Sequence, residues 1–333
     1  MTIVDSIAAL EAAVGRPSSA IDLKVIDHVD GSARRWIAAS PLMFAAAESG
    51  EGIATTLGGG APGFAGADEA VLSVPLDHVD DPGLLRPGAA FGSLFLLPGI
   101  GETLRINGRI RDVADGAARI AVEECYVHCA KALIRSDFWK AEPLDDIPAD
   151  IGAFVAASRF LALATIDAQG RADISPKGDP AGRLARRDGD ALWFPDRPGN
   201  RRTDSFRNIL TQPRVAAALL IPGTHHVAML SGKAMLTTDE AARAPFTVRD
   251  RQPLLAARIA GLAIALAPSA ALRRAALWPA AAAPADIVPA RMFAEHIRLN
   301  RSRGLGARIA SAVVSVPGLM QKGLDKDYRD NLY

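Results

Sequence analysis

One pattern is written twice in this chain, and that constrains its fold more than any other feature. Trp36-Ile-Ala-Ala-Ser40 returns as Phe154-Val-Ala-Ala-Ser158, 118 residues later. Leu97-Pro-Gly99 returns as Ile221-Pro-Gly223 and Asn107-Gly108 as Ser231-Gly232, both 124 residues on. Ala117-Ala-Arg-Ile-Ala121 is repeated identically as Ala256-Ala-Arg-Ile-Ala260, and Trp139 recurs as Trp278, both at a spacing of 139. The matches keep their order, and the spacing grows in steps, as loop insertions would produce. A single Ala-rich pentapeptide would mean little; five matches in register read as duplication. The chain therefore divides into a helical lead (1–29), a first repeat (30–147), a second repeat (148–284) and a helical tail (285–333).

Within each repeat the pattern is mostly strand. Phe160–Ile166 is a short apolar run closed by the turn signal Asp167-Ala-Gln-Gly170, and Ala172–Pro176 then makes a hairpin with it. Ala191–Phe194, Val215–Ile221 and Val227–Leu230 read as further strands, with a short helix expected over Thr203–Leu210. Val122–Arg135 reads as a strand running into a helix. Short strands about ten residues apart predict a small antiparallel barrel per repeat. The tail segments Pro289–Asn300 and Leu305–Ser315 have helical apolar spacing, suited to packing on the barrels or on a second chain.

Composition sets the class. Of 333 residues, 38 are Lys or Arg and 37 Asp or Glu, so no net charge favours nucleic acid or an anionic membrane. The longest uncharged apolar run, Ile259–Leu272, is 14 residues and falls short of the about 20 needed to span a bilayer. The acidic start lacks the pattern of a signal peptide. The two cysteines, Cys125 and Cys129, are too few to staple a secreted fold. These features give the expectation of a cytoplasmic protein.

The polar residues are divided between the repeats. Ser175-Pro-Lys-Gly-Asp179 and Asp196-Arg-Pro-Gly-Asn-Arg-Arg-Thr-Asp-Ser205 bring Lys177, Arg197, Arg201 and Arg202 within 26 residues, beside a helix start and hydroxyls. Guanidinium forks, a helix N-terminus and hydroxyls suit a phosphate ester. The same cations on a solvated loop would need no ligand, and composition alone does not separate the two. At the matching places the first repeat has Leu57-Gly-Gly-Gly-Ala-Pro62 and the acidic Asp77-His-Val-Asp-Asp-Pro-Gly83. Conversely, it carries Gly101-Glu-Thr-Leu-Arg-Ile-Asn-Gly-Arg109 and Val122–Leu133, where the second repeat is bland. Each repeat is polar where the other has lost its polar groups, which predicts one composite site between them and an empty second one.

Together these motifs resemble the pyridoxamine 5′-phosphate oxidase-like, FMN-binding split-barrel family. The resemblance spans about residues 30–280. Its members are homodimers with two FMN sites at the interface, and here two tandem split β-barrels with flanking helices would form the equivalent pseudo-dimer within one chain. By that resemblance Ser175 and Lys177 lie along the flavin and Phe194 beside its ring. Arg197, Asn200, Arg201, Arg202 and Ser205 hold the phosphate and ribityl chain, while Thr103, Arg105 and Lys131 approach from the first repeat. The chain ends without the Trp and Arg pattern of pyridoxamine phosphate oxidase itself, which argues against that substrate. The resemblance implies an FMN-dependent oxidoreductase acting on a small molecule, with NAD(P)H as a candidate donor. It also implies no side-chain acid or nucleophile, because flavin carries the electrons. A flavin- or haem-binding carrier or sensor, or a scaffold that has lost its cofactor, is the alternative. The chain would act as a monomeric pseudo-dimer or a homodimer.

Other constellations carry less. On a strand, Cys125 and Cys129 would face away from His128, so the three read as packing and not as a metal site. His225-His226 point to opposite faces. Gly58-Gly-Gly60 lacks the Lys-Ser/Thr of a phosphate loop. Glu123-Glu124 has no partner that would mark an acid catalyst.

Overall fold

The computed structural model describes residues 2–16, 22–50, 52–199, 202–300 and 318–333. A two-residue strand, β1 (Ile3–Val4), opens it. Seven strands form the first sheet: β2 (Leu42–Ser49), β3 (Gly52–Gly59), β4 (Gly66–Ala67), β5 (Val71–Pro75), β6 (Ala90–Leu96), β7 (Thr103–Ala114) and β8 (Ala117–His128). The second is built from β9 (Phe160–Ile166), β10 (Ala172–Gly178), β11 (Arg186–Asp188), β12 (Ala191–Pro195), β13 (Arg214–Leu220), β14 (His226–Thr237) and β15 (Ala256–Pro268), with β1 added to β14. The helices are α1 (Ile7–Val14), α2 (Gly31–Ala39), α3 (Lys131–Arg135), α4 (Ile151–Ala157), α5 (Asp204–Thr211), α6 (Glu240–Arg243), α7 (Ala270–Ala275) and α8 (Pro289–Leu299), with a last one over Leu319–Asp330. Among them none is long and apolar enough to cross a membrane.

The protein is mostly β, and its two antiparallel sheets have the same strand order. The first runs β3-β2-β6-β7-β8-β5-β4 and the second β10-β9-β13-β14-β15-β12-β11, position for position. Even the irregularities repeat. The β7–β8 ladder shifts register at Asn107/Gly108 and the β14–β15 ladder between Ser231 and Lys233. At both bulges a Cβ on the glycine, Gly108 or Gly232, would press on a carbonyl of the neighbouring strand, that of Ala121 or Ala260. The Asn-Gly and Ser-Gly pairs noticed as a repeat are thus the marks of one bulge used twice.

Strand alternation explains why the apolar runs have no polar face. Met43, Ala45 and Ala47 of β2 point into a core of the first repeat, with Trp36, Leu104, Ile106 and Val127. Leu161 and Leu163 of β9 point into a second core with Phe194, Phe206 and Leu230. The alternate residues Leu42, Phe44 and Ala46 meet Phe160, Ala162 and Ala164 in a third core, shared by the two repeats. Phe138 packs edge-on against Phe160 and at a tilt against Trp278, with ring centroids 5.1 and 5.3 Å apart. The repeated tryptophans also lie at this junction, and each donates to a carbonyl: Trp139 to Ile100 at 2.6 Å, Trp278 to Phe138 at 2.8 Å. Fully burying one such apolar side chain contributes roughly 1.5–3 kcal/mol, so the shared core holds the repeats firmly together.

The expected strands and the helix before Gln212 form, and Val122–Arg135 is indeed a strand followed by a helix, β8 and α3. The Val227–Leu230 strand is longer than expected, because β14 continues past the bulge to Thr237. The lead does not belong to one repeat: β1 extends the second sheet, while Ile26 bridges Cys125 at the edge of the first. Pro289–Asn300 supplies α8, and the Leu305–Ser315 segment lies outside the described residues.

Candidate functional site

A cavity of about 580 Å3 opens where β10, α5 and the loop between β12 and α5 face the ends of β7 and β8 and helix α3. The second repeat provides one wall. Asp173, Ser175 and Lys177 share one face of β10 by simple alternation. β12 ends at Pro195, the first residue of Pro195-Asp-Arg-Pro-Gly199, and α5 begins with Asp204 and Ser205, preceded by Arg202 and Thr203. The Ser205 hydroxyl is 2.7 Å from that of Ser175, which in turn donates to Asp173 at 3.1 Å.

The first repeat reaches across with Arg105 of β7, which is only 1% exposed. Its guanidinium is 2.6 Å from the Asp173 carboxylate and donates to the Tyr126 hydroxyl at 2.5 Å and to Ser175 at 3.0 Å. Burial opposes its charge, but Asp173, then Tyr126 and Asp204, more than offset this, and its pKa is raised. Arg202 pairs with Asp204 and lies over the Tyr126 ring, 4.7 Å from its centroid. Burial, with Asp173 next to it, pushes the Asp204 carboxyl up to about 6. Lys177 sits over the Phe206 ring at 4.6 Å, and burial lowers its pKa. Arg197 is 2.7 Å from Asp179, whose carboxyl burial also raises to about 6.

Among the described residues the wall carries seven Lys or Arg side chains against four aspartates, so the cavity is cationic. Most of these cations are already held by a protein carboxylate, which fixes their heads and keeps them paired until a ligand arrives. Four buried polar atoms on the inward face of β7 and β8 nevertheless have no protein partner: Thr103 Oγ1, Arg105 Nε, Asn107 Oδ1 and His128 Nδ1. Buried polar atoms in folded proteins are nearly always satisfied, and of these four residues Arg105 and His128 line the cavity.

Of the residues singled out in the sequence, Ser175, Lys177, Arg197, Arg202, Ser205, Arg105 and Lys131 all line this one cavity. Two others do not. Phe194 is fully buried in the second repeat's core, because alternation along β12 turns it away from the cavity, so it does not flank a ligand there. Thr103 is also fully buried and behind the wall, although it shares the inward face with Arg105. Asn200 and Arg201 lie outside the described residues.

Several cavity residues escaped the sequence reading. His128 ends β8 with its ring toward the cavity, and Cys129, one residue past the strand, lines the same wall and does not oppose it. The C-terminal segment is the larger surprise. Asp327 pairs with Lys131 at 2.8 Å, Tyr328 donates to Glu102 at 2.9 Å, and the Leu332 carbonyl accepts from Arg135 at 2.6 Å. The Tyr333 ring lies 5.6 Å from the Arg135 guanidinium and 5.4 Å from that of Arg197. The sequence shows these residues only as a polar end; nothing in their spacing says which wall they meet.

The symmetric location lacks the polar set of the first. Gly59 packs against the Ala271 backbone of α7 as Gly178 packs against Ala132 of α3, and neither has room for a Cβ. That places Gly58 where the second repeat has Lys177. Asp80, in the acidic stretch, accepts from Ser269 Oγ at 2.5 Å and from the Ala271 amide at 2.8 Å, holding the start of α7. Met229 takes the place of Arg105, 3.8 Å from the Thr55 hydroxyl.

Comparison with known proteins finds one family match, over part of the chain. Residues 147–280 match the model of the pyridoxamine 5′-phosphate oxidase family. No curated protein matches the chain. Among solved structures, HupZ from Group A Streptococcus is 19% identical, with a TM-score of 0.28, covering 34% of this chain and 89% of that one. An F420 reductase is 14% identical, with a TM-score of 0.28, covering 36% of this chain and 98% of its own. HutZ, the haem storage protein of Vibrio cholerae, is 14% identical at a TM-score of 0.21, covering 33% and 86%.

Proposed function

We propose that this chain, whose residues 147–280 match the model of the pyridoxamine 5′-phosphate oxidase family, is a flavoprotein holding one FMN in the cavity between its repeats, and that it works as an oxidoreductase on a small molecule. The observation that carries the reading is the composition of that one cavity: Lys177, Arg202, Ser175 and Ser205 from the second repeat opposite buried Arg105 from the first. A phosphate dianion needs charged donors held at fixed positions in a partly desolvated site, and this set provides them. Lys177 and Arg202 would take the phosphate, with the Ser175 and Ser205 hydroxyls as neutral donors. Arg105, clamped by Asp173 and Tyr126, would fix the angle between the repeats at the ligand. FMN, when bound, supplies the electron or hydride transfer; the residues bind, orient and keep water out. Arg105, Arg197 and Arg202 are each paired with an aspartate, so binding at these groups exchanges one set of charge-assisted hydrogen bonds for another. NAD(P)H is the proposed electron donor.

The test is the absorption spectrum of the purified protein, followed by FMN titration. Flavin bands and one FMN per chain are expected. Lys177→Ala and Arg202→Ala should each weaken FMN by roughly 10–100-fold, the loss of a hydrogen bond to a charged group. A colourless protein that ignores added FMN, or one carrying a haem Soret band, defeats the proposal. Turnover of an acceptor on addition of NADH or NADPH then distinguishes an enzyme from a carrier.

A further inference from the structure

Two groups of cations line the cavity, and β10 holds them apart. Asp173 lies near the start of that strand, and Asp179 follows its last residue, Gly178. At about 3.3 Å per residue the two positions are roughly 15–20 Å apart. At the Asp173 end charge is matched: Arg105 pairs with Asp173 and Arg202 with Asp204. The Asp179 end is different. Arg197 pairs with Asp179 at 2.7 Å and donates to the Phe246 carbonyl at 2.6 Å. The Asp196 amide donates to the Leu255 carbonyl, so the loop that carries Arg249 and Arg251 lies alongside. From α3 comes Arg135, only 7% exposed, which donates to the carbonyls of Pro198 and Leu332. The Tyr333 ring sits among three of these groups, its centroid 5.6 Å from the Arg135 guanidinium, 5.4 Å from that of Arg197 and 5.6 Å from that of Arg249.

Four arginines thus face two carboxylates at this end, those of Asp179 and Asp196, and burial raises the pKa of both. Among the described residues Arg135, Arg249 and Arg251 form no ion pair. A buried charge is ordinarily matched by an opposite one. Arg135 has only two neutral carbonyls and a ring, and burial, with the Arg197 charge behind it, lowers its pKa against the pull of Asp179. We propose that this end of the cavity is a second anion subsite, where Arg135, Arg197 and Arg251 take the carboxylate or phosphate group of the small molecule that reacts with the cofactor. The inference rests on the flavin reading above, which gives the other end to the cofactor's phosphate. The substrate class is then an anion, and Arg197, which the family resemblance gives to the cofactor, serves the substrate. Guanidinium forks match either oxyanion. An incoming anion replaces neutral partners, the Leu332 carbonyl and the Tyr333 ring, with charge-assisted hydrogen bonds roughly twice as strong.

Inorganic phosphate, titrated by calorimetry into the intact chain saturated with FMN, is the probe. One phosphate per chain should bind, and more weakly as salt is raised. Arg249→Ala together with Arg251→Ala removes two exposed charges and should weaken that phosphate about 3–10-fold at low salt, with FMN affinity unchanged. Arg135→Gln should weaken it roughly tenfold, the loss of a hydrogen bond from a charged group, and its retention of FMN shows that the variant is folded. Arg202→Ala, at saturating FMN, should leave the phosphate in place. An FMN-loaded chain that takes no phosphate overturns the subsite, as does a phosphate that R249A/R251A or folded R135Q binds as tightly as the unmutated chain. Equal weakening of FMN and phosphate by R249A/R251A overturns it too, by moving the cofactor's phosphate to this end. A chain that ignores FMN defeats the flavin reading alone: phosphate binding that R249A/R251A weakens then upholds the anion subsite, and binding that it leaves in place overturns both.

Discussion

Arg105 ties the repeats together at the cavity, and Arg105→Met tests how much that tie contributes. The side chain is 1% exposed, and the substitution removes an ion pair at 2.6 Å with Asp173 and hydrogen bonds at 2.5 and 3.0 Å to Tyr126 and Ser175. Met fills similar volume, so the loss is chiefly electrostatic. Breaking one side of a buried pair leaves the other charge uncompensated and costs about 3–5 kcal/mol. For a chain of this size that corresponds to a fall in Tm on the order of 10 °C. The deficit should also depend on pH. Asp204, already pushed up to about 6 by burial and by Asp173, is held down in part by Arg105, so R105M raises it further. A carboxyl whose folded pKa is raised costs stability above that pKa, and the cost vanishes below its unfolded pKa near 4. Urea unfolding of R105M against the unmutated chain should therefore show the full deficit at pH 8 and a clearly smaller one at pH 4.5. Asp173→Asn, added to R105M, should recover at least about 1 kcal/mol, since it removes the stranded charge. An R105M deficit below about 1 kcal/mol, or one that stays constant with pH, would refute the claim that this network is a buried, mutually dependent set.

The C-terminal segment and the symmetric location give two further predictions. Asp327→Asn releases Lys131 from a pair whose carboxylate is 45% exposed; a pair that open to solvent is worth under about 1 kcal/mol, so inorganic phosphate and FMN should bind roughly 2–5-fold more tightly, measured by titration at low salt. Weaker binding would show instead that Asp327 contacts the ligand. Asp80→Ala removes the acceptor that holds the start of α7 and should lower stability by about 1–2 kcal/mol in urea while leaving one FMN per chain; loss of the FMN would mean that the symmetric location is a binding site after all.

Much of the fold was legible because duplication is a pattern, and patterns survive in a single sequence. The Asn107-Gly108 and Ser231-Gly232 pairs stood out as a repeat, which the structure explains as one bulge used twice, and Phe160–Ile166 stood out as a short apolar strand. The site was legible where charge stood out against its counterpart, as Lys177 and Arg202 do against Gly58 and the acidic stretch near Asp80. Phe194 was misplaced because the side of a strand that faces a cavity is set by register, which local composition does not record. His128 and Cys129 were set aside for a related reason: the end of β8 falls between them, and alternation stops applying there.

The sequence by itself determined that one antiparallel unit is used twice and that the polar groups are shared out unevenly, since both follow from residue identity and spacing along the chain. Only the tertiary structure decided what those groups meet. Arg105 finds Asp173 and Ser175 across the boundary between repeats, and Asp327, Asn331 and Tyr333 line a cavity that also includes Arg105, more than two hundred positions earlier. Such contacts arise from how two packed sheets are positioned by their shared core, a property of shape in three dimensions that spacing along a chain does not encode.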